Sequence, residues 1–271
     1  MPDQLSQLSQ LNGATRVHFI VGDPIAQVKS PAGVTQTFAE RGHNAIVVPA
    51  HVAPEHLSAW HAGISHAQNV DGIIVTVPHK FAAFGLCATT SERATFLRAV
   101  NTMRRNVDGS WHGDMFDGLG FVEAMRDNGC EPRGKRALLI GAGGAGSAIA
   151  HALLIAGVSS LALADTSKLR RTTLIDRLNW LKRAPVTHGS TDPTGYDIVI
   201  NATPMGMKEG DPYPADVTKL SAAMFVGCVI TAPAVSPLIA AARAQGCATM
   251  TGVDMFGRVR DLMVDFLLNR D

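Results

Sequence analysis

Two side chains in the first half of the chain are suited to moving a proton. Lys80 comes two residues after Pro78, which ends an apolar run, and Asp117 follows in a later polar stretch. A lysine amine held beside a carboxylate can exchange a proton with a substrate hydroxyl. A lysine that follows a strand is also a common surface feature, so this pair indicates a site only in the company of other groups.

Polar side chains that can bind hydroxyl groups occur at other predicted strand ends and turns. They are Ser30, Thr76 and Asn101. In open α/β sheets, ligands bind beyond the carboxyl ends of the strands, where such side chains collect. We therefore predict a small-molecule site at that edge, although Asn101 in the stretch AVNTM is also compatible with a simple turn.

A glycine-rich segment in the middle of the chain has the spacing of a nucleotide-binding loop. In LLIGAGGAGSAIAHALL, the residues Gly141, Gly143 and Gly146 fit the pattern GxGxxG between an apolar strand and an apolar helix. Glycines allow the tight turn and the close approach of a pyrophosphate to the free N–H groups of the helix N-terminus. The context predicts a dinucleotide-binding unit that begins near residue 136.

An aspartate follows the next predicted strand and bears on the choice of cofactor. The carboxylate of Asp165 is placed to bind both ribose hydroxyls, and its charge repels the 2′-phosphate of NADP. Lys168, Arg170 and Arg171 follow closely and could hold that phosphate, although such residues more often form the solvated face of a helix. The sequence therefore favours NAD, with NADP as the alternative.

Predicted strands and helices alternate along the whole chain. The predicted strands cover residues 17–21, 45–50, 72–77, 136–140, 160–164, 197–201, 225–230 and 247–250, with a hairpin near 98–113. The predicted helices cover residues 32–42, 54–66, 117–129, 145–156, 168–182, 236–245 and 254–269. This alternation is typical of an α/β protein with mostly parallel sheets.

Composition excludes several classes of protein. The 271 residues are 46% hydrophobic and carry a formal net charge of +1, which gives no electrostatic basis for binding nucleic acid. The four cysteines are far apart and no HExxH occurs, so we expect no metal and predict buried thiols in a reducing compartment. The polar N-terminus lacks the apolar core of a signal peptide, and no apolar run reaches about 18 residues, so we expect a cytoplasmic protein without a membrane span.

A series of short motifs resembles the shikimate dehydrogenase family, including its quinate-using relatives. In chain order these motifs are GDPIAQVKSP, VTVPHK, AVNT, GDMFDGLGF, GAGGAGSA, NATPMGM and SPLIAAARAQG. The resemblance covers nearly the whole chain. It implies an α/β fold of two domains, an N-terminal substrate domain and a Rossmann-type nucleotide-binding domain with a parallel sheet.

The resemblance also implies a function and a division of the chain. Residues 1–116 and 252–271 would form the substrate domain, and residues 117–251 the NAD domain. The implied activity is reversible hydride transfer between NAD and a ring hydroxyl of a cyclic hydroxy acid bound between the domains, as in aromatic amino acid biosynthesis. A monomer and a homodimer are both compatible with the sequence.

Site residues follow from the resemblance motif by motif. Lys80 and Asp117 would be the catalytic pair, and Ser30, Thr76 and Asn101 would contact the substrate. The implied cofactor contacts are Gly141, Gly143, Gly144, Ala145, Gly146, Asp165, Thr203, Met205 and Gly252.

The chain departs from the family at positions that face the substrate. Val28 replaces a serine that binds the carboxylate, and Met115-Phe116 replaces Asn-Thr before the catalytic aspartate. Ala164-Asp165-Thr166 replaces the Asn-Arg-Thr of NADP-using members, in agreement with NAD. Each lost hydrogen-bonding group leaves a substrate atom unpaired, at about 1–3 kcal/mol.

These departures leave three alternatives to shikimate or quinate turnover by the usual contacts. Val28 and Phe116 favour the same chemistry on a less polar cyclic substrate. Equivalent contacts elsewhere in the site would preserve the original substrate. A non-catalytic NAD-binding regulatory protein is the third alternative, but it has no chemical need for the pair Lys80 and Asp117.

Overall fold

A computed structural model describes residues 11–269 of the chain. The N-terminal residues 1–10, on which the signal-peptide prediction partly rests, lie outside the described residues, as do residues 270 and 271. The chain divides into two compact units, Met1–Met115 with Arg260–Asp271 and Phe116–Val259. Each unit contains a six-stranded sheet.

The first unit contains a mixed sheet. Its strands are β1 (Arg16–Gly22), β2 (Ala45–His51), β3 (Val70–Val75), β4 (Thr89–Thr90), β5 (Thr102–Arg105) and β6 (Trp111–Asp114). Its helices are α1 (Ser30–Glu40), a 3₁₀ turn at Pro54–His56, α2 (Leu57–Ile64), α3 (Lys80–Phe84) and α4 (Glu92–Leu97). The strand order is β2-β1-β3-β5-β6-β4, and all six residues of β3, in the interior of the sheet, are buried. The hairpin predicted near 98–113 is β5 and β6, which pair antiparallel.

Two predicted elements of the first unit differ from the structure, and three short elements were not predicted. The third strand ends at Val75 and not at residue 77, because the His79 N–H donates to the Thr76 carbonyl at 2.9 Å and closes a turn. The predicted helix 54–66 is a 3₁₀ turn followed by α2, which ends at Ile64. The short elements α3, α4 and β4 were not predicted, since they have too few residues for a periodic pattern.

The second unit contains a parallel sheet. Its strands are β7 (Arg136–Ile140), β8 (Ser160–Ala164), β9 (Val186–His188), β10 (Ile198–Asn201), β11 (Phe225–Cys228) and β12 (Ala248–Met250). Its helices are α5 (Asp117–Asp127), α6 (Gly144–Ala156), α7 (Lys168–Asn179), a 3₁₀ turn at Val217–Lys219, α8 (Pro237–Ala244) and α9 (Gly252–Leu268), and the last of these extends past the unit's end at Val259. The strand order is β12-β11-β10-β7-β8-β9. Strands β8 and β9 are added on one side of β7, and β10 to β12 on the other side. This is the order of the doubly wound dinucleotide-binding fold, and it confirms the predicted fold class.

In the second unit, the ends of a helix and of a strand also differ from the prediction, and one strand was not predicted. Helix α7 ends at Asn179 and not at residue 182, because Trp180, Leu181 and Lys182 turn back and Lys182 takes a φ of 51°. The strand predicted at 225–230 ends at Cys228. Strand β9 was missed, since its three residues carry no recognisable alternation.

The cysteines follow the sequence prediction closely. All four are free thiols; Cys130, Cys228 and Cys247 are buried and Cys87 is half-buried. Burial raises the pKa of the Cys87 thiol to about 12 and that of Cys130 to about 11. Within residues 11–269, no cluster of three or more histidine, cysteine or acidic side chains is arranged to hold a metal ion. None of the helices in the same range is both long and apolar enough to cross a membrane.

Close packing of α5 on α6 depends on a glycine. A Cβ atom added at Gly118 would lie 2.1 Å from the carbonyl oxygen of Ala148, which is backbone and has no rotamer to change. The neighbouring turn of α5 is equally crowded, since a Cβ at Gly120 would meet the backbone nitrogen of Val259 at 2.8 Å. At Gly118, helices α5 and α6 therefore approach each other at a distance that only glycine permits.

We expect Gly118→Ala to destabilise the protein by about 1–3 kcal/mol, because the added methyl forces the helices apart. The measurement is the melting temperature by circular dichroism, which should fall by several degrees. Gly63→Ala is the matched control, because Gly63 lies inside α2 with no atom within 4 Å of an added Cβ. An equal loss of stability in both variants would contradict the packing argument.

Candidate functional site

The glycine-rich loop connects β7 to α6 at the point where the strand order reverses. Gly141 has a φ of +109°, which favours glycine, and a Cβ at Gly146 would lie only 1.9 Å from the Gly141 carbonyl oxygen. The first and third glycines of the motif are therefore required by the fold of the loop itself. They bring the start of α6 against the end of β7.

The second glycine of the motif, Gly143, is required for a different reason. A Cβ at this position would meet no protein atom within 4 Å, and no side chain caps the start of α6. The helix N-terminus thus presents backbone N–H groups to open space, the arrangement that binds a pyrophosphate. These residues, with Gly144 and Ala145 in the first turn, fit a dinucleotide.

Asp165 follows β8 and is tied to the same loop. Its Oδ2 accepts a hydrogen bond from the Ala142 N–H at 2.7 Å, and its Oδ1 accepts from the Ser167 N–H at 2.7 Å. The Arg170 guanidinium also donates to Oδ1, at 3.1 Å, and the Asp165 side chain is only 6% exposed. Burial opposes ionisation, but these donors outweigh it and hold the pKa of Asp165 below its ordinary value. The carboxylate is therefore charged at neutral pH and anchors the loop.

The turn after β10 forms the other side of the loop. A Cβ at Gly141 would lie 2.8 Å from the Ala202 carbonyl oxygen and 3.0 Å from Cγ2 of Thr203. The Thr203 hydroxyl donates to Oδ1 of Asn201 at 2.6 Å and accepts from the Met205 N–H at 3.1 Å, so it is used within the turn. Asn201 was not singled out in the sequence, although it is the first residue of NATPMGM.

Gly252 lies at the first residue of α9, where a Cβ would stand 2.3 Å from the Ile230 carbonyl oxygen. The glycine therefore has a packing reason within the second unit. Its predicted contact with the cofactor stays a prediction.

In the first unit, backbone contacts link the segments of three predicted residues beyond the carboxyl end of β3. Thr76 follows β3 directly, and a Cβ at Gly22, the last residue of β1, would lie 2.4 Å from its Cγ2. Asn101 is buried, and its carbonyl accepts the Val75 N–H at 2.7 Å. Lys80 begins α3, and its carbonyl accepts a hydrogen bond at 3.0 Å from Val100, the residue before Asn101. Backbone hydrogen bonds therefore connect the chain segment of Asn101 to the segment that contains Thr76 and Lys80.

Ser30 and Val28 lie in the connection that follows β1. Ser30 is buried and is the first residue of α1, while Val28 is partly exposed in the preceding turn, where its N–H donates to the Ile25 carbonyl at 3.3 Å. His79, beside Lys80, is buried, and its Nε2 lies 2.7 Å from the Val52 carbonyl oxygen. This histidine is therefore a packed neighbour of the lysine.

A buried ion pair supports the same edge and was missed in the sequence. The Asp114 carboxylate accepts from Nε of Arg93 at 2.8 Å and from Nη2 at 2.5 Å, and its backbone carbonyl accepts the Asn101 N–H at 2.9 Å. The Ser91 hydroxyl donates to the same carboxylate. The pair spans 21 positions of the chain, so no local pattern signals it.

Asp117 and Phe116 belong to the second unit, and both are buried. Phe116 precedes α5, and Asp117 is the first residue of that helix. Lys80 lies in the first unit. The action of Lys80 and Asp117 as a pair remains a prediction.

Comparison with known proteins identifies the family. A sequence model described as the shikimate dehydrogenase substrate binding domain matches residues 20–103. A shikimate dehydrogenase (NADP(+)) from Rubrobacter xylanophilus is 37% identical over 248 residues, which cover 90% of this chain and 87% of the relative. The chain belongs to the shikimate dehydrogenase family.

Solved structures similar to this chain agree with the fold. Quinate dehydrogenase from Corynebacterium glutamicum, solved with NAD, has a TM-score of 0.85 at 27% identity and covers 94% of each chain. A 5-ketofructose reductase from Gluconobacter has a TM-score of 0.84 at 27% identity, with 95% of this chain and 94% of that chain covered. The predicted enzyme class, an NAD(P)-dependent oxidoreductase that acts on a CH–OH group, is confirmed, and so is a nicotinamide dinucleotide as cofactor.

Gly146 and Gly143, one crowded and one open, should respond differently to alanine. We expect Gly146→Ala to lower the melting temperature strongly, because its methyl would collide with the Gly141 carbonyl. Gly143→Ala should fold normally, since the φ of −78° and ψ of −167° at Gly143 suit alanine. Its methyl occupies the space for the pyrophosphate, so the Kd for NAD and NADP by calorimetry should rise about tenfold or more. Unchanged affinity in Gly143→Ala would show that the dinucleotide does not approach this helix.

Proposed function

We propose that this enzyme is an NAD-dependent dehydrogenase of the shikimate or quinate type. It transfers hydride reversibly between NAD and a ring hydroxyl of a cyclic hydroxy acid. Residues 1–116 and 252–271 hold the substrate, and residues 117–251 hold the dinucleotide. The proposal is supported by the backbone hydrogen bonds that place Thr76, Lys80 and Asn101 beyond the carboxyl end of β3, in a chain 37% identical to a shikimate dehydrogenase.

Each of these side chains has a role in the proposed reaction. Lys80 takes the proton from the substrate hydroxyl and is assisted by the carboxylate of Asp117. Thr76, Asn101 and Ser30 hold the other hydroxyl groups or the carboxylate and thereby orient the carbon that loses hydride. The bound nicotinamide ring supplies the hydride acceptor.

The preference for NAD is proposed from the charge at Asp165. Its carboxylate stays ionised at neutral pH because the donors around it lower its pKa, and an ionised group there repels a 2′-phosphate. Arg170 lies 3.1 Å from this carboxylate and offsets part of the charge, so discrimination against NADP should be moderate. The solved quinate dehydrogenase with NAD shows that the fold accepts this cofactor.

A second candidate keeps the chemistry and changes the substrate to a less polar ring. Val28 occupies the connection before Ser30 and has no hydrogen-bonding side chain, and the buried Phe116 precedes Asp117. The similar 5-ketofructose reductase indicates that close structural relatives act on different substrates. A substrate with fewer polar groups leaves fewer atoms unpaired beside Val28 and Phe116.

The experiment that tests the proposal follows dinucleotide reduction at 340 nm with shikimate, quinate and less polar cyclic hydroxy acids. Turnover of shikimate or quinate, faster with NAD than with NADP, supports the first candidate. Turnover restricted to the less polar acids supports the second. Tight binding of NAD without turnover of any compound would overturn both and favour a non-catalytic protein.

We expect Lys80→Ala to reduce kcat by about 100-fold or more, because the proton acceptor is lost. The Kd for NAD should change little, since Lys80 lies in the first unit and the glycine-rich loop in the second. Lys182→Ala, at an exposed lysine of the second unit, is the control and should keep full activity. Retention of activity in Lys80→Ala would disprove the proposed role.

Asp165→Asn should shift the cofactor preference toward NADP. The ratio of kcat/KM for NADP to that for NAD is expected to rise at least about tenfold, because the repulsive charge is removed and Arg170 is released. The variant also loses one acceptor for the loop, but this affects both dinucleotides and cancels in the ratio. An unchanged ratio would mean that Asp165 does not face the 2′ position.

A further inference from the structure

The side chain of Asn201 has all of its hydrogen-bonding groups engaged. Its Oδ1 accepts from the N–H and the hydroxyl of Thr203 at 3.0 and 2.6 Å, and its Nδ2 donates to the Met205 carbonyl at 3.1 Å and to Sγ of Cys228 at 3.4 Å. An amide side chain offers two acceptor positions and two N–H donors, so each is used. Asn201 is completely buried at the end of β10.

The turn that follows β10 takes its shape from this side chain. The carbonyl of Met205 and the N–H of Thr203 are bonded to Asn201, and Pro204 between them has no N–H to offer. The remaining bond of the turn, from the Met205 N–H to the Thr203 hydroxyl, depends on that hydroxyl being oriented by Asn201. Removal of the amide would leave several polar groups of the turn without partners.

The orientation of Asn201 is in turn fixed from the core. The sulfur of Cys228 on β11 also accepts from the Ser236 hydroxyl, at 3.4 Å, and Ser236 caps the start of α8 by accepting from the Ile239 N–H. Cys228 and Ser236 are both buried. A chain of hydrogen bonds therefore links α8, β11 and the turn.

The turn lies directly beside the glycine-rich loop. The Ala202 N–H donates to the Ile140 carbonyl at 2.8 Å, and an added Cβ at Gly141 would contact Ala202 and Thr203. A shift of the turn would therefore change the space between Thr203, Met205 and the loop, which is the predicted binding surface for the dinucleotide.

We infer that Asn201 is a positioning residue, which holds the turn of Thr203 to Met205 in the shape that receives the dinucleotide and acts through that turn. The inference rests on the proposed function, because it takes Thr203 and Met205 as cofactor contacts. A residue with a purely structural role would affect stability alone. Loss of a positioning residue weakens binding of the dinucleotide and leaves the KM for the hydroxy acid nearly unchanged.

The test compares Asn201→Ala with wild type by calorimetric titration of NAD and by steady-state kinetics. The Kd and KM for NAD are expected to rise about tenfold or more, whereas the KM for the hydroxy acid stays within about twofold. Asn201→Asp keeps an acceptor for Thr203 but places a carboxylate oxygen against the Met205 carbonyl, so it should also raise the Kd and KM for NAD. This second variant also provides the measurement if Asn201→Ala does not fold.

Asn179→Ala is the matched control. The Asn179 side chain also binds backbone groups in the second unit. Its Nδ2 donates to the Val186 carbonyl at 3.1 Å, and its Oδ1 accepts from the Val186 N–H at 3.1 Å. Its loss should lower the melting temperature and leave the Kd for NAD within about twofold of wild type. An equal rise in Kd in both asparagine variants, or no rise in the Asn201 variants, would overturn the inference. Failure of the wild-type protein to bind NAD or NADP would instead contradict the proposed function.

Discussion

The parallel pairing of β7 between β8 and β10 is the constraint on which the nucleotide-binding unit depends. Because parallel strands end at the same edge, the turns after all three strands must share a small space. The Asp165 carboxylate holds the glycine-rich loop from one side through the Ala142 N–H, and the turn at Ala202 and Thr203 contacts it from the other. With the loop held from both sides, the space beside Gly143 stays open.

The fold was largely predictable because the informative patterns are local. An apolar strand followed by GAGGAG at residues 141–146 indicates both a turn and a helix start, and the alternation of elements indicates parallel sheets. Element ends were less predictable, because they depend on single hydrogen bonds such as that from His79 to Thr76, or on single dihedral angles such as φ at Lys182. Strand β9, at Val186–His188, is stabilised by its neighbour and not by its own sequence pattern.

Sequence reasoning can propose a role where a residue's type already indicates its chemistry, as with Lys80, whose role stays a prediction. The side chains that hold such residues in place were not predictable, because their partners are distant or hidden. Asp114 looks like an exposed acid in the sequence, yet it is buried against Arg93 and carries the backbone of Asn101. Asn201 has no distinguishing signal in the sequence, yet its buried side chain forms hydrogen bonds to Thr203 and Met205.

The Asp165 carboxylate anchors the glycine-rich loop and, in the proposed function, also selects between the two dinucleotides. In the proposed function, the carboxylate that repels a 2′-phosphate is also the acceptor for the Ala142 N–H, so truncating this side chain would release the loop proposed to bind the pyrophosphate. A change of cofactor at this position therefore requires a neutral side chain that still accepts a hydrogen bond. Arg170, already within 3.1 Å of the carboxylate, would then be free to pair with a phosphate. Preference between the two dinucleotides is thus coupled to the stability of the loop at this residue, unless the replacement keeps the acceptor for the Ala142 N–H.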